Sequence, residues 1–322
     1  MSQLFYYLGH EQFQPEILVK HAQLAEEAGF DGIFISEHFN PWVADKGAAG
    51  FALSTLGAIT QATKKIKLMT GVITPLYRYH PAVVAQAAAT IDRLSGGRFM
   101  LGVGTGESIN EVPLGYNFPK YKERSERMIE ALQIMTRLLK GEKVTFDGVF
   151  YKTKQAKLYS PPHHFVPTLL AAGGPKSAEL AGEYADGLII SVKDPKDAQT
   201  NIITPAKEKA KEKQFIVSSS RWTVFARDEN EAWEALLPWR GLRAPSRDHA
   251  VDPEDLQKEA DTLPRSEILS RYTRVSSPQE YVDAYKPLVT ELSSDIVCIQ
   301  TTSLNQEELI TMLGKEVLPK LR

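Results

Sequence analysis

The sequence predicts a single-domain α/β fold, a (β/α)8 TIM barrel, and three observations carry that expectation. Short apolar runs alternate with amphipathic stretches along nearly the whole chain. Runs such as Phe99 to Val103 are apolar and bounded by glycine, as suits strands buried on both faces. That alternation calls for parallel strands joined by helical crossovers. Finally, 322 residues with 43% hydrophobic content can bury one sizeable core of barrel size.

Residues 3–8 read as a first strand, followed by a helix over about 15–29 with Pro near its start and Gly at its end. Strands over 31–36, 66–70 and 99–103 alternate with helices over 51–63 and 81–94. A long helix begins near Tyr121; Met128, Ile129, Leu132, Met135, Leu138 and Leu139 line one face, which is the pattern of core packing. Asp147-Gly148 lies between β-rich runs, so residues of about 144–160 read as a hairpin insertion. Strands at 167–172, 185–191 and 219–226 follow, with a lysine-rich helix over about 201–213. Between residues 238 and 274 the rhythm fails. This stretch, rich in Pro, Arg and Asp, reads as an excursion over the active face without a strand of its own. A helix over 279–292, a strand over 296–300 and a helix over 306–318 complete eight strands.

Composition removes several classes of function. A net charge of −2 gives no pull towards nucleic acid or an anionic membrane. The single cysteine, Cys298, sits in an apolar run and allows neither an intrachain disulfide nor a cysteine metal site. No stretch reads as a leader or a membrane span, so a soluble, cytoplasmic protein is expected. No P-loop and no strand-linked Gly-x-Gly-x-x-Gly is present, and His163-His164 reads as loop, so no metal site is expected.

In a barrel of this kind the loops after the strands build the active site. Those loops bring forward His38 and Trp42, Gly71 to Thr74, Thr105 to Asn110, Gly173 to Ser177, then Ser191, Lys193, Arg247 and Arg271. His38 and Glu107 suit an acid/base pair. Trp42 could exclude water or face a sugar. The Gly173-Gly174-Pro175 turn ahead of a helix suits a phosphate. Lys193, Arg247 and Arg271 suit a second anion.

Three blocks carry a resemblance: Ser36-Glu-His-Phe-Asn-Pro-Trp42, Thr74-Pro-Leu-Tyr-Arg-Tyr-His-Pro-Ala-Val-Val-Ala-Gln86 and Gly102-Val-Gly-Thr-Gly-Glu-Ser-Ile-Asn-Glu111. With Ala171-Ala-Gly-Gly-Pro175, they make the chain similar to the bacterial luciferase-like superfamily. Within it the chain resembles the coenzyme F420-dependent dehydrogenases of glucose 6-phosphate and of secondary alcohols. That resemblance implies a barrel holding F420 at the strand ends, with hydride transfer from an alcohol or sugar-phosphate carbon. It implies His38 and Glu107 as catalytic pair and Trp42 beside them. The cofactor contacts would be Glu37, Thr74, Thr105, Gly106, Asn110, Gly173, Gly174, Pro175 and Ser177, with a non-prolyl cis peptide at Gly71-Val72. Ser191, Lys193, Arg247 and Arg271 would meet the substrate. Glu37 stands where the resembling proteins usually have Asp, and Arg247 where the sugar-phosphate enzyme has Lys. Alternatives are an FMN-dependent monooxygenase and a non-catalytic flavin-binding partner subunit. A small-molecule substrate and a homodimer are expected.

Overall fold

The computed structural model describes residues 2–322. In chain order its strands are β1 (Gln3–Leu8), β2 (Gly32–Ile35), β3 (Lys67–Thr70), β4 (Phe99–Val103), β5 (Val144–Asp147) and β6 (Lys152–Ala156). Then come β7 (Thr168–Ala171), β8 (Gly187–Ser191), β9 (Ile216–Phe225), β10 (Thr273–Val275) and β11 (Ile296–Thr302). All pairings are parallel except β5 with β6, an antiparallel hairpin outside the barrel. β1 pairs β2 and β11, β9 pairs β11 and β8, and the ring of eight closes. The barrel expected from the alternation is therefore present.

Period-2 alternation explains how the strands serve two cores. From β1, Leu4, Tyr6 and Leu8 pack under the helices, while Phe5 and Tyr7 fill the barrel interior. From β11, Val297 and Ile299 face out and Ile296 and Cys298 face in. Burial pushes the Cys298 thiol pKa well above its ordinary value, as befits a core residue. Proline opens the helices Pro15–Glu27, Pro81–Ser95, Pro175–Tyr184 and Pro278–Thr290, where its missing N–H costs nothing.

Three stretches differ from the sequence expectation. The helix expected from residue 201 starts at Pro195 and passes through a wider π turn at Gln199–Ile203 before Thr204–Ala210. Pro205 has no N–H to give the ordinary ladder, so a widened turn just before it is a natural accommodation. The final helix carries a similar π turn at Leu313–Val317, two residues before Pro319. The excursion holds a 3-10 turn Leu237–Arg243, helices Pro253–Thr262 and Arg265–Leu269, and the strand β10. β9 makes that last strand possible. Its first half pairs β8, and beyond the end of β8 its residues Thr223–Phe225 pair β10 on the edge thereby freed.

Candidate active site

β2 delivers His38 and β4 delivers Glu107 to the carboxyl-terminal rim, from loops that leave neighbouring parts of the sheet. His38 Nε2 lies 3.3 Å from one Glu107 carboxylate oxygen and 3.4 Å from Glu11 Oε1. On the other side of the ring, Nδ1 donates to the Asn40 carbonyl at 3.0 Å. A carbonyl only accepts, so this contact fixes the proton on Nδ1 and turns Nε2 towards the two carboxylates. Three proton acceptors converging on one point repel unless they share a proton. Trp42 is buried and stands edge-on to His38, with ring centroids 4.9 Å apart. Arg247 lies 5.8 Å over the Trp42 ring and 3.8 Å from Glu107.

Glycine is required at two points of this rim. At Gly71 a Cβ would run into the Phe34 ring inside the barrel. Gly106 holds the left-handed φ of +82°, which turns the chain so that Glu107 faces back over the barrel mouth. The Gly71–Val72 bond is cis, as the resemblance implied. Thr74 is buried; Thr105 is half-buried beside Gly106.

Two groups of residues that the motifs did not single out hold this pair in place. Glu11 follows β1; its second oxygen accepts from Ser36 Oγ and, at 3.2 Å, from Tyr7. Arg78 is almost fully buried between Glu37 and Glu111, the latter at 3.1 Å, and also donates to the Asn110 carbonyl at 3.2 Å. Burial opposes the Arg78 charge, yet the Glu37 and Glu111 carboxylates outweigh it and raise its pKa. Glu111 is itself pushed up to about 7, chiefly by burial against the pull of Arg78, and its Oε2 has no partner. Asn110 Oδ1 accepts from the Phe39 and Asn40 amides at 2.9 and 3.2 Å. One guanidinium thus ties the loop after β2 to the loop after β4. Glu37 and Asn110, expected to face a cofactor, spend their polar atoms on this internal network, Glu37 also accepting from Tyr79 at 3.1 Å.

Across the mouth, the residues expected to hold anions lie in two places. Ser191, Lys193, Arg247 and Arg271 line one cavity of about 610 Å³, together with Arg221, Arg243, Trp222 and Tyr272, which sequence reasoning passed over. A second cavity of about 460 Å³ runs from Gly106 and Glu107 to Lys120, Tyr121 and Arg124 and meets the first at Arg247. Gly173, Gly174 and Pro175 form the exposed start of the helix after β7. Ser177 Oγ accepts from the Gly173 and Gly174 amides at 3.2 Å each, so both amides are engaged within the turn. Open space lies where a Cβ would stand on either glycine, so a bulky anion can approach this turn. Among the described residues no helix is long and apolar enough to cross a membrane.

A barrel with this rim chemistry defines a class. The family model for luciferase-like monooxygenases matches residues 2–292, and the chain belongs to that family. It is 37% identical to an F420-dependent glucose-6-phosphate dehydrogenase of Nakamurella multipartita, covering 97% of this chain and 94% of that protein. Its identity to the enzyme of the same name from Amycolatopsis mediterranei is 36%, covering 100% and 99%. Among solved structures it is similar to an F420-dependent secondary alcohol dehydrogenase in complex with an F420-acetone adduct. That likeness has a TM-score of 0.91 at 31% identity over 100% of this chain and 99% of the other.

Proposed function

We propose that the protein is an oxidoreductase that passes a hydride between an alcohol or sugar-phosphate carbon and coenzyme F420. The observation that carries this reading is the His38–Glu107 contact at the barrel mouth, with Nε2 as the imidazole atom facing inward. When bound, the deazaflavin supplies the carbon that accepts or gives the hydride. Open space beside Gly173 and Gly174 at a helix start leaves room for its phosphate, and the contacts read for it are Gly71, Val72, Thr74, Thr105, Gly106, Pro175 and Ser177. Glu37 and Asn110 support that wall from behind.

His38 takes the hydroxyl proton at Nε2 while Asn40 holds the ring tautomer. Glu107, one-third exposed on the lip, holds or returns a proton beside it. Trp42 shuts water out of one side, and Arg247 fixes the second Glu107 oxygen. Ser191, Lys193, Arg247 and Arg271 receive an anionic substrate end. Similarity to relatives named F420-dependent glucose-6-phosphate dehydrogenase and F420-dependent secondary alcohol dehydrogenase supports the hydride transfer and the cofactor.

The family description favours one competing reading, an FMN-dependent monooxygenase. Purified protein given F420 or FMN in turn, with glucose 6-phosphate or isopropanol under air and without oxygen, separates the two. Oxygen-independent reduction of F420 is expected. Activity with FMN alone that consumes oxygen overturns the proposal. The reading includes a cytoplasmic homodimer, which light scattering and cell fractionation check.

A further inference from the structure

We infer that Asn110 is a positioning residue: its side chain sets the separation of His38 from Glu107 and the ring nitrogen on which His38 carries its proton. The resemblance assigned Asn110 to the cofactor, but its atoms are engaged elsewhere. This deepens the hydride-transfer reading and rests on it, since it takes His38 and Glu107 as the reacting pair.

Asn110 and Glu107 share one short turn. The Asn110 amide donates to the Glu107 carbonyl at 3.1 Å, at the start of the single helical turn Ser108–Glu111. Glu107 is the N-cap of that turn, yet its carboxylate makes no capping bond and stays 3.3 Å from His38 Nε2. Three residues on, the Asn110 side chain is buried. Its Oδ1 accepts from the Phe39 amide at 2.9 Å and the Asn40 amide at 3.2 Å, which uses both lone pairs of a carbonyl oxygen. Those two bonds also decide which end of the side-chain amide is oxygen. The other end, Nδ2, therefore lies 3.3 Å from His38 Nδ1.

Two contacts then act in series. Asn110 holds the Phe39-Asn40 segment, and the Asn40 carbonyl of that segment takes the His38 Nδ1 proton at 3.0 Å. Behind the clamp, Arg78 donates to the Asn110 carbonyl at 3.2 Å and steadies it. One side chain thus joins the segment that orients the imidazole to the turn that carries the carboxylate. Without it, the Phe39 and Asn40 amides lose their acceptor and the loops after β2 and β4 can part. A reacting pair displaced by about 1 Å loses up to roughly 10²-fold in rate.

The experiment compares wild type, Asn110→Ala and Asn110→Asp by three readouts. The first is nitrogen–proton correlation spectroscopy of labelled histidine in the protein without cofactor, with the His38 signal identified by its loss in His38→Gln. The second is F420 affinity by fluorescence, and the third is kcat and KM with F420 and glucose 6-phosphate or isopropanol. Wild type should show the proton on Nδ1. Asn110→Ala should move His38 towards the Nε2–H tautomer and lower kcat roughly 10- to 10²-fold, with F420 affinity and KM held within about twofold. Asn110→Asp keeps an oxygen for both amides and should restore the Nδ1–H signal and most of the turnover. Should Asn110→Ala fail to fold, Asn110→Ser, whose hydroxyl is too short to reach both amides, takes its place with the same expected result.

A fall in F420 affinity with the Nδ1–H signal intact would make Asn110 a cofactor contact and overturn the inference. So would unchanged tautomer and turnover in Asn110→Ala, or a wild type that carries its proton on Nε2 and pairs Nδ1 with the Asn110 Nδ2. The tautomer change in a protein that never reduces F420 would sink the hydride-transfer reading and leave the positioning of His38 standing. F420 reduction indifferent to Asn110 would do the reverse.

Discussion

On the β1–β4 side of the rim, charged groups are buried and bound to one another; on the β8–β10 side they are mostly exposed and unpaired. Glu37, Arg78 and Glu111 lose their water and pair across three loops, and Glu11 is buried beside them on Ser36, Tyr7 and His38. Lys193, Arg243 and Arg271 face open cavities. The first arrangement holds two reacting side chains at a fixed separation before any ligand arrives. The second leaves charge for a ligand to neutralise. Paired and unpaired charge thus occupy different walls of one mouth, which Arg247 bridges through Glu107.

The difference can be broken hardest at Arg78. Arg78→Ala leaves two buried carboxylates without their cation and should cost about 3–5 kcal/mol of stability in urea unfolding. Adding Glu37→Gln and Glu111→Gln should recover part of that loss, since the unpaired charges go too. Stability unchanged in Arg78→Ala would mean that the β1–β4 side is no tighter than the other.

Next in size is the reacting pair itself. His38→Ala should lower turnover about 10²-fold or more, the scale for losing a general base. Glu107→Gln should also lower turnover, and F420 affinity measured by fluorescence should hold in both, because the Gly173-Gly174 turn is untouched. Full activity in His38→Ala with every accepted alcohol would remove the acid/base assignment.

On the cationic side, Arg247→Ala and Arg271→Ala should act mainly on binding. About a tenfold rise in KM for a phosphorylated substrate, larger than the fall in kcat, is the expected split. A pure kcat loss would shift Arg271 from recognition to chemistry.

A pH slope gives the last test. The Glu111 carboxyl, raised from 4.5 to about 7 by burial, binds its proton more tightly in the folded than in the unfolded chain. Its contribution to stability is therefore complete below about pH 4.5 and is lost as pH rises through about 7. Wild type measured against Glu111→Gln should lose ground over that interval. A flat difference would deny the shift.

How legible this was in the sequence follows the same division. Strands such as β1 and β4 declare themselves because apolar runs between turns have few alternatives, and the rim residues His38 and Glu107 follow from where such strands end. β9 begins three residues before its expected start, since Val217 is followed by Ser218, Ser219 and Ser220, buried serines with no hydropathy signal. β10 is three residues long with two exposed, and its existence depends on an edge that β8 leaves free. Glu11 and Arg78 were invisible as site residues for a related reason. Each is an ordinary charged residue locally, and its role arises from partners 27 to 33 positions away or more, brought together only by closure of the barrel.

The brief ladder between β9 and β10 has one more consequence. The Ala226 amide donates to the Val275 carbonyl at 3.0 Å, so the chain leaves the barrel and returns to it on adjacent rungs. Everything between, including Arg247 and Arg271, leaves and rejoins the barrel at two points that touch. A segment clasped this way can be lengthened at slight entropic expense, about 0.6 kcal/mol for each doubling of a flexible span. Its own packing limits where: Trp239 is buried and donates to Gln12, Arg240 pairs with Asp45, and Arg247 lies 3.8 Å from Glu107. Lengthening therefore suits the exposed stretch 264–267, away from those contacts, where recognition can change while the rim around Glu107 keeps its neighbours.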